Sequence, residues 1–95
     1  MQIVPPRITE IQPSRRIEAP MGSAIKLYCN VVTSPVSETR ISWLRNGQII
    51  AYGQTLYLDN IGTEDQGDFI CRAENEAGYY EQTAYIYVLE GKYYC

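Results

Sequence analysis

Apolar and polar residues alternate with a period of two along most of this chain. The clearest run spans residues 24–32, and its apolar side is formed by Ile25, Leu27, Cys29 and Val31. Successive side chains of a β-strand point to opposite sides of the sheet, so this period is typical of a strand with one buried face. No segment of helical length repeats apolar residues at the 3.6-residue period of an α-helix. The pattern therefore predicts an all-β fold.

Further runs of this kind follow one another, separated by turn-forming residues. The predicted strands are Arg7–Ile11, Arg16–Glu18, Ala24–Val32, Arg40–Arg45, Gln48–Ala51, Thr55–Leu58, Gly67–Glu74 and Tyr79–Leu89. Pro13 separates the first two strands and predicts a change of sheet, because proline cannot donate to a strand ladder. Asn46-Gly47 predicts a two-residue hairpin, since a type I′ turn needs positive φ at both central positions. Gly62–Gln66 predicts a turn with Thr63 as its N-cap.

The spacing of these runs predicts how the chain is divided. We expect residues 1–6 to form a stiff leader, because Val4-Pro5-Pro6 favours the extended polyproline conformation. Residues 7–89 form the predicted domain, and residues 90–95 form a tail. Few residues separate the strands at 48–51 and 55–58, which leaves little room for one further full strand between them and none for a second. We therefore expect a β-sandwich that is reduced in this region.

Length and charge exclude several classes of function. The chain has 95 residues, enough for one domain. It carries 8 basic and 11 acidic residues and no His, for a net charge of −3. An acidic chain without a Lys/Arg cluster argues against binding to nucleic acid. It argues equally against an anionic membrane surface, and no apolar run approaches the roughly 18 residues that insertion into a membrane needs.

Two cysteines, one tryptophan and an acidic turn stand at informative positions. They are Cys29, Trp43 and the run Asp65–Cys71, which reads D-Q-G-D-F-I-C. With these motifs, residues 7 to 89 resemble the immunoglobulin superfamily, most closely its intermediate set. The resemblance implies a Greek-key β-sandwich in which a disulfide joins Cys29 to Cys71 across the two sheets and Trp43 packs over it. Such a loop closure is worth about 4 kcal/mol. The alternative is a pair of buried free thiols, as in immunoglobulin-like domains of giant cytosolic muscle proteins.

The chain departs from the family pattern at two places. Phe69 stands where the family usually has a Tyr, so the hydrogen bond of that hydroxyl is lost. No Lys or Arg lies between Asn46 and Glu64 to pair with the acidic turn. We therefore expect Asp65 to cap its own turn through backbone N–H groups.

The sequence offers no credible catalytic, cofactor or metal site, and we predict that the domain is not an enzyme. It has no His, no C-x-x-C pair and no calcium-loop spacing. Cys95 is an odd thiol with no local base to activate it. Three interpretations of Cys95 stay open: a partner in a following Cys-rich module, an intermolecular bridge, or a terminal residue without a role.

The predicted function lies on one sheet surface, which we call the C–F–G face after the family letters for strands 40–45, 67–74 and 79–89. Its outward residues mix aliphatic, aromatic and charged side chains: Ser42, Leu44, Ile70, Arg72, Glu74, Thr83, Tyr85 and Tyr87. This composition is typical of protein interfaces, although Tyr and Ile also suit any pleated surface.

From the resemblance, we expect a recognition domain of an extracellular adhesion or receptor protein. The expected partner is another protein, a neighbouring domain or a second copy of this domain. The best candidates for contact are Leu44, Ile70, Arg72, Glu74, Tyr85 and Tyr87. The alternative is a spacer in a tandem array, either in the extracellular matrix or, as in sarcomeric proteins, in the cytoplasm.

Overall fold

The computed structural model describes residues 3–35 and 37–90. Its strands are β1 (Arg7–Gln12), β2 (Arg16–Pro20), β3 (Ile25–Val32), β4 (Arg40–Arg45), β5 (Gln48–Tyr52), β6 (Thr55–Leu58), β7 (Gly67–Asn75) and β8 (Gly78–Leu89). Every predicted strand is present, and β4 and β6 have the predicted bounds. Within residues 3–35 and 37–90, no helix has the length and apolar character needed to cross a membrane. Cys95 lies outside the described residues.

The strands form two packed sheets. One has the order β1-β3-β6 and the other the order β2-β8-β7-β4-β5. Neighbouring strands are antiparallel, except that β2 runs parallel to β8. The strands before and after Pro13 lie in different sheets, as predicted. This non-sequential order confirms the Greek-key β-sandwich.

The core between the sheets is centred on the disulfide. Cys29 on β3 is bonded to Cys71 on β7, with their Cα atoms 6.5 Å apart. Trp43 on β4 is paired in register with Cys71, and its side chain is fully buried. The other large buried side chains surround this centre: Leu27, Leu56, Ile61, Phe69 and Ile86. The two sulfurs thus join the sheets beside the indole ring, as the resemblance implied.

Gln54 connects the sheets where the sandwich is reduced. Its carbonyl oxygen accepts from Trp43 Nε1 at 3.3 Å and from the Cys29 backbone N–H at 2.9 Å. Its side-chain Nε2 donates to the Cys29 carbonyl oxygen at 3.1 Å. Only Gly53 and Gln54 lie between β5 and β6, so the chain crosses directly from one sheet to the other.

Two turns test the sequence-based assignments. Asn46 and Gly47 have φ of 53° and 81°, which confirms the predicted hairpin with two positive φ angles. The predicted turn after Ile61 is a 3-10 helix, Thr63–Asp65. Thr63 was predicted as its N-cap, which is wrong, because Gly62 occupies that position. The Gly62 N–H donates to Asp65 Oδ2 at 2.8 Å, so Asp65 does cap its own turn.

A long-range contact holds this turn against β4. Arg45 donates to the carbonyl oxygens of Glu64, Asp65 and Gln66 at 2.9, 3.2 and 2.8 Å. Its guanidinium carbon also lies 4.3 Å from the centroid of the Phe69 ring. Phe69 lacks the hydroxyl of the family Tyr. The Arg45 guanidinium, bonded to three carbonyl oxygens and close to the Phe69 ring, stabilises this corner instead.

Residues before β1 pack against the hairpin between β7 and β8. The side chain of Pro6 is fully buried. Asn75 Nδ2 donates to the Val4 carbonyl oxygen at 2.8 Å and to Ser37 Oγ at 3.0 Å, while its Oδ1 accepts from the Ala77 N–H at 2.9 Å. These bonds satisfy the buried amide. The division at residues 6 and 89 stays a prediction.

Candidate protein-binding face

The outward side of the five-stranded sheet carries all the predicted binding residues. On β7 and β8 the buried positions alternate with positions that face solvent. The predicted residues are the half-buried outward ones: Leu44, Ile70, Arg72, Glu74, Tyr85 and Tyr87. The structure therefore brings these residues together on the C–F–G face.

Strand register orders this face into rows that cross the sheet. The middle row is formed by Ile49, Leu44, Ile70 and Thr83, taken from β5 to β8. The Ile49 side chain is 50% exposed, although it is apolar. Leu44 and Ile70 are half-buried. Burial of the apolar surface that remains exposed in this row would stabilise a complex by about 25 cal/mol per Å².

Arg72 is held in place beside the middle row. Its guanidinium carbon lies 3.9 Å from the centroid of the Tyr79 ring. Its Nη1 donates to Glu81 Oε2 at 3.3 Å, and its Nε lies 3.9 Å from Glu74 Oε1. Each exposed contact is worth little on its own, about 0.2–1 kcal/mol. Together they fix an otherwise flexible side chain before any partner arrives.

The two predicted tyrosines lie on the other side of the middle row. The ring centroids of Tyr85 and Tyr87 are 4.5 Å apart, with a tilt of 49°. Arg16 on β2 donates from Nη2 to the Tyr87 hydroxyl at 3.0 Å, and its guanidinium carbon lies 5.6 Å from that ring centroid. Because β2 joins β8 in this sheet, the face extends one strand beyond C, F and G.

Several residues of this face were missed from the sequence. They lie on the flanking strands or along β7 and β8: Arg16, Ile49, Tyr52, Asp68, Tyr79 and Glu81. Alternation along β7 and β8 contained a signal for three of them. Arg16, Ile49 and Tyr52 lie on β2 and β5. Their place on this face could be predicted only from the order of strands in the sheet, because that order decides which strands extend the face.

A second surface feature lies near the start of the domain. An apolar crevice of about 380 Å³ is lined mainly by Val4, Pro5, Pro6, Val32 and Tyr80. Tyr79 and Tyr80 are adjacent in sequence, yet Tyr79 faces Arg72 and Tyr80 faces this crevice. The crevice is thus formed on a surface distinct from the C–F–G face.

The outer face of the three-stranded sheet differs from the C–F–G face. Lys26 and Tyr57 are paired in register on β3 and β6. Lys26 Nζ lies 5.9 Å from the Tyr57 ring centroid, and Tyr57 is 69% exposed. This cation–aromatic pair gives a matched control for the pairs on the C–F–G face.

The described residues include no cluster of three or more His, Cys, Asp or Glu side chains that could hold a metal ion. The whole sequence also lacks His. Of the acidic groups near the 3-10 turn, Asp65 has a structural role, since its carboxylate accepts from the Gly62 N–H.

Comparison with known proteins gives the family. A family model described as "Immunoglobulin domain" matches residues 5–75. B-cell receptor CD22 of Mus musculus is 28% identical over 72 residues, which cover 76% of this chain and 8% of that protein. Fibroblast growth factor receptor-like 1 of Mus musculus is 31% identical over 96 residues, which cover 90% of this chain and 18% of that protein. The chain thus spans less than a fifth of these curated relatives.

Solved structures show the same architecture. The N-terminal four immunoglobulin domains of Dscam1 isoform 4.44 match with a TM-score of 0.79 and 20% identity, over 92% of this chain and 21% of that chain. A crystal structure of the complex of titin M10 with an obscurin-like 1 immunoglobulin domain matches with a TM-score of 0.76 and 26% identity, over 94% of this chain and 98% of that chain. The assignment of this chain to the intermediate set stays a prediction, but the chain belongs to the immunoglobulin domain family.

Proposed function

We propose that this chain is a non-enzymatic recognition domain of an extracellular adhesion or receptor protein, and that it binds another protein through the C–F–G face. The observation that carries the proposal is the arrangement of this face, in which an apolar row is flanked by an ordered Arg and by paired tyrosines. Aromatic and Arg side chains around an apolar centre are typical of the residues that dominate binding energy.

Pre-organisation supports this face as a binding surface. Ordering a flexible side chain on binding costs about 0.5–1.5 kcal/mol. Arg72 is already restrained by Tyr79 and Glu81, and Arg16 by Tyr87. Binding of a partner to these groups therefore costs less side-chain conformational entropy than binding to unrestrained arginines would.

The cross-link and the relatives support an extracellular setting. Disulfides persist in secreted and cell-surface proteins and are rare in the cytosol. The structure contains the Cys29–Cys71 bridge. The matched relatives include a protein named as a B-cell receptor and one named as receptor-like.

A spacer in a tandem array is the second candidate function. The apolar crevice formed by residues before β1 favours it, because packing against an adjoining domain would cover this surface. The spacer function is also compatible with the structural match to the titin–obscurin-like 1 complex, in which this chain covers 98% of the matched chain.

The recognition proposal can be tested with a tetramerised form of the chain as the probe. The probe is screened against a library of cell-surface ectodomains displayed on yeast, and each binder is titrated by flow cytometry. We expect the double variant Arg72→Glu with Tyr85→Ala to lower affinity at least about tenfold. The matched control is Lys26→Glu with Tyr57→Ala on the opposite sheet, which should bind like the parent chain.

Two results would contradict the proposal. Full binding by the C–F–G variant, with loss in the control, would assign recognition to the three-stranded sheet. A probe that binds no ectodomain at all would favour the spacer function.

A further inference from the structure

We propose that the C–F–G face binds a second copy of this chain, related to the first by a two-fold axis. The axis lies in the interface plane between the five-stranded sheets of the two copies and runs across the strands, along the middle row that contains Leu44, Ile70 and Thr83. This inference rests on the proposed function of the face and specifies its partner.

The symmetry fixes which residues meet. A two-fold axis in this direction places β7 and β8 over their own copies in the opposite direction, whereas β4 and β5 meet theirs only at the middle row. Residues of the middle row then meet their own counterparts, so that Ile70 packs on Ile70 of the second copy. Rows at equal distances on either side of the axis meet each other. A contact of this kind is isologous, with the same patch used by both copies.

The charges on β7 match under this operation. Arg72 lies two residues from Ile70 on one side, and Asp68 lies two residues away on the other. Both point to the same face, because residues separated by an even number share a side of the strand. Arg72 of each copy therefore meets Asp68 of the other, which gives two opposite-charge contacts per dimer.

The flanking strands repeat this match. Glu81 is in register with Arg72, whereas Arg16 is in register with Tyr85 in the row of Asp68. Glu81 of one copy thus lies over Tyr85 of the other, offset sideways from Arg16 of the other copy by one strand spacing, about 4.8 Å. Next outward, Tyr79 meets Tyr87 of the second copy.

The other simple orientation brings like charges together. An axis parallel to the strands and centred on β7 would place Arg72 on Arg72 and Asp68 on Asp68 of the second copy. Like charges opposite each other cost several kcal/mol at an interface. The charges on β7 therefore favour the axis across the strands over an axis parallel to β7 and centred on it.

The area of the face indicates a weak dimer. Strands β7 and β8, spaced about 4.8 Å apart and crossed by about five rows that lie about 6.8 Å apart, cover about 400 Å² per copy together with the middle row of β4 and β5. The total of about 800 Å² is in the range of weak encounters. We expect dissociation in the high micromolar to millimolar range, which suits contacts between copies concentrated on surfaces.

The test is a charge-exchange experiment by analytical ultracentrifugation. All chains carry Cys95→Ser, so that a thiol outside the described residues cannot cross-link them. The parent chain should show a monomer–dimer equilibrium below about 1 mM. Arg72→Asp alone and Asp68→Arg alone should each weaken dimerisation at least about tenfold, since each sets like charges together.

An equimolar mixture of the two variants provides the decisive sample. One chain then has acidic side chains at positions 68 and 72 and the other has basic ones, so both contacts become favourable and a heterodimer should form. Lys26→Asp on the three-stranded sheet is the matched charge-reversal control and should dimerise like the parent chain. Circular dichroism confirms that each variant is folded.

Three outcomes would overturn the second-copy partner: a parent chain that stays monomeric up to about 1 mM, variants that dimerise like the parent, or a mixture that stays monomeric. If the parent is monomeric but the Arg72→Glu, Tyr85→Ala variant still loses an ectodomain partner, only the second copy is excluded and the recognition face stands. If the parent is monomeric and the Arg72→Glu, Tyr85→Ala variant also binds its ectodomain partner like the parent, both proposals fail.

Discussion

The guanidinium of Arg45 joins the end of β4 to the turn that precedes β7. It combines three hydrogen bonds to carbonyl oxygens with a position over the Phe69 ring. Hydrogen bonds from charged groups are roughly twice as strong as neutral ones, and their acceptors here lie in the segment between β6 and β7. A single side chain thus stabilises the corner whose family Tyr has been replaced.

Replacing Arg45 tests this role directly. We expect Arg45→Ala to lower the free energy of unfolding by about 2 kcal/mol, because several charge-assisted bonds and the ring contact are lost together. Urea denaturation measures the change. Arg40→Ala is the matched control on the same strand, with an expected change within about 0.5 kcal/mol. Equal effects of the two substitutions would show that the corner does not depend on Arg45.

At the scale of elements, the strands are linked by turns that differ in how much they tolerate a side chain. Gly47 in the β4–β5 hairpin has φ of 81°, and a Cβ added there would meet nothing within 4 Å. Gly67 at the start of β7 has φ of 134°, and an added Cβ would lie 3.3 Å from Arg45 Nη2. The first position restricts only the backbone, whereas the second also restricts the Arg45 contact.

The same substitution at these two glycines should therefore have different effects. We expect Gly47→Ala to cost about 1 kcal/mol, the usual penalty for a left-handed Ala. Gly67→Ala should cost at least about 1 kcal/mol more, through a less favourable backbone region and a displaced guanidinium. Thermal or urea unfolding of both variants gives the comparison. A smaller loss for Gly67→Ala than for Gly47→Ala would contradict the tight approach of Arg45 to β7.

Alternation along the sequence was enough to predict which side of each long strand is buried. Leu27 and Cys29 on β3, like Phe69 and Cys71 on β7, alternate with solvent-facing residues, and the pleat leaves only two faces to choose from. The N-cap of the 3-10 turn was predicted wrongly as Thr63. Its neighbour Gly62 takes the cap position, and Asp65 completes the cap from within the turn.

Contacts between distant segments could not be predicted in this way. Arg45 was not predicted because it lies at the end of β4, outside the segment between Asn46 and Glu64 where a basic partner of the turn is expected. Gln54 bridges Trp43 and Cys29 through its own backbone and amide, and nothing in the local pattern marks it. The C–F–G residues were predicted by alternation, whereas Arg16 joined them only through the parallel pairing of β2 with β8.

At the scale of the whole molecule, one disulfide joins two sheets that pack together mainly through apolar side chains. Cys29 and Cys71 are separated by 42 positions. Closing a loop of this length restricts the unfolded chain by about 4 kcal/mol, comparable with the lower end of the total stability of a small domain. Reduction of these cysteines would therefore lower the free energy of unfolding, and the domain is best suited to an oxidising compartment.

Removal of the cross-link should destabilise the domain without changing its core pattern. We expect the double variant Cys29→Ala with Cys71→Ala to lose about 2–5 kcal/mol of unfolding free energy. Urea denaturation under non-reducing conditions measures the loss. A change below about 1 kcal/mol would contradict the stabilising role of the bridge.

Thiol counting separates the extracellular setting from the cytosolic one. In protein isolated under native conditions and then unfolded without reductant, we expect one reactive thiol per chain, from Cys95, because the other two cysteines are bonded. Titration with a thiol reagent gives the number. Three reactive thiols would indicate a reducing compartment and favour the sarcomeric-type spacer.

The most direct test of the C–F–G face as the recognition surface is chemical-shift mapping by NMR. The ¹⁵N-labelled chain is titrated with unlabelled chain and, separately, with an ectodomain retrieved in the yeast screen. We expect the shifts to concentrate on β4, β7 and β8, with Ile70 and Arg72 near their centre. Shifts confined to β1, β3 and β6 would contradict it.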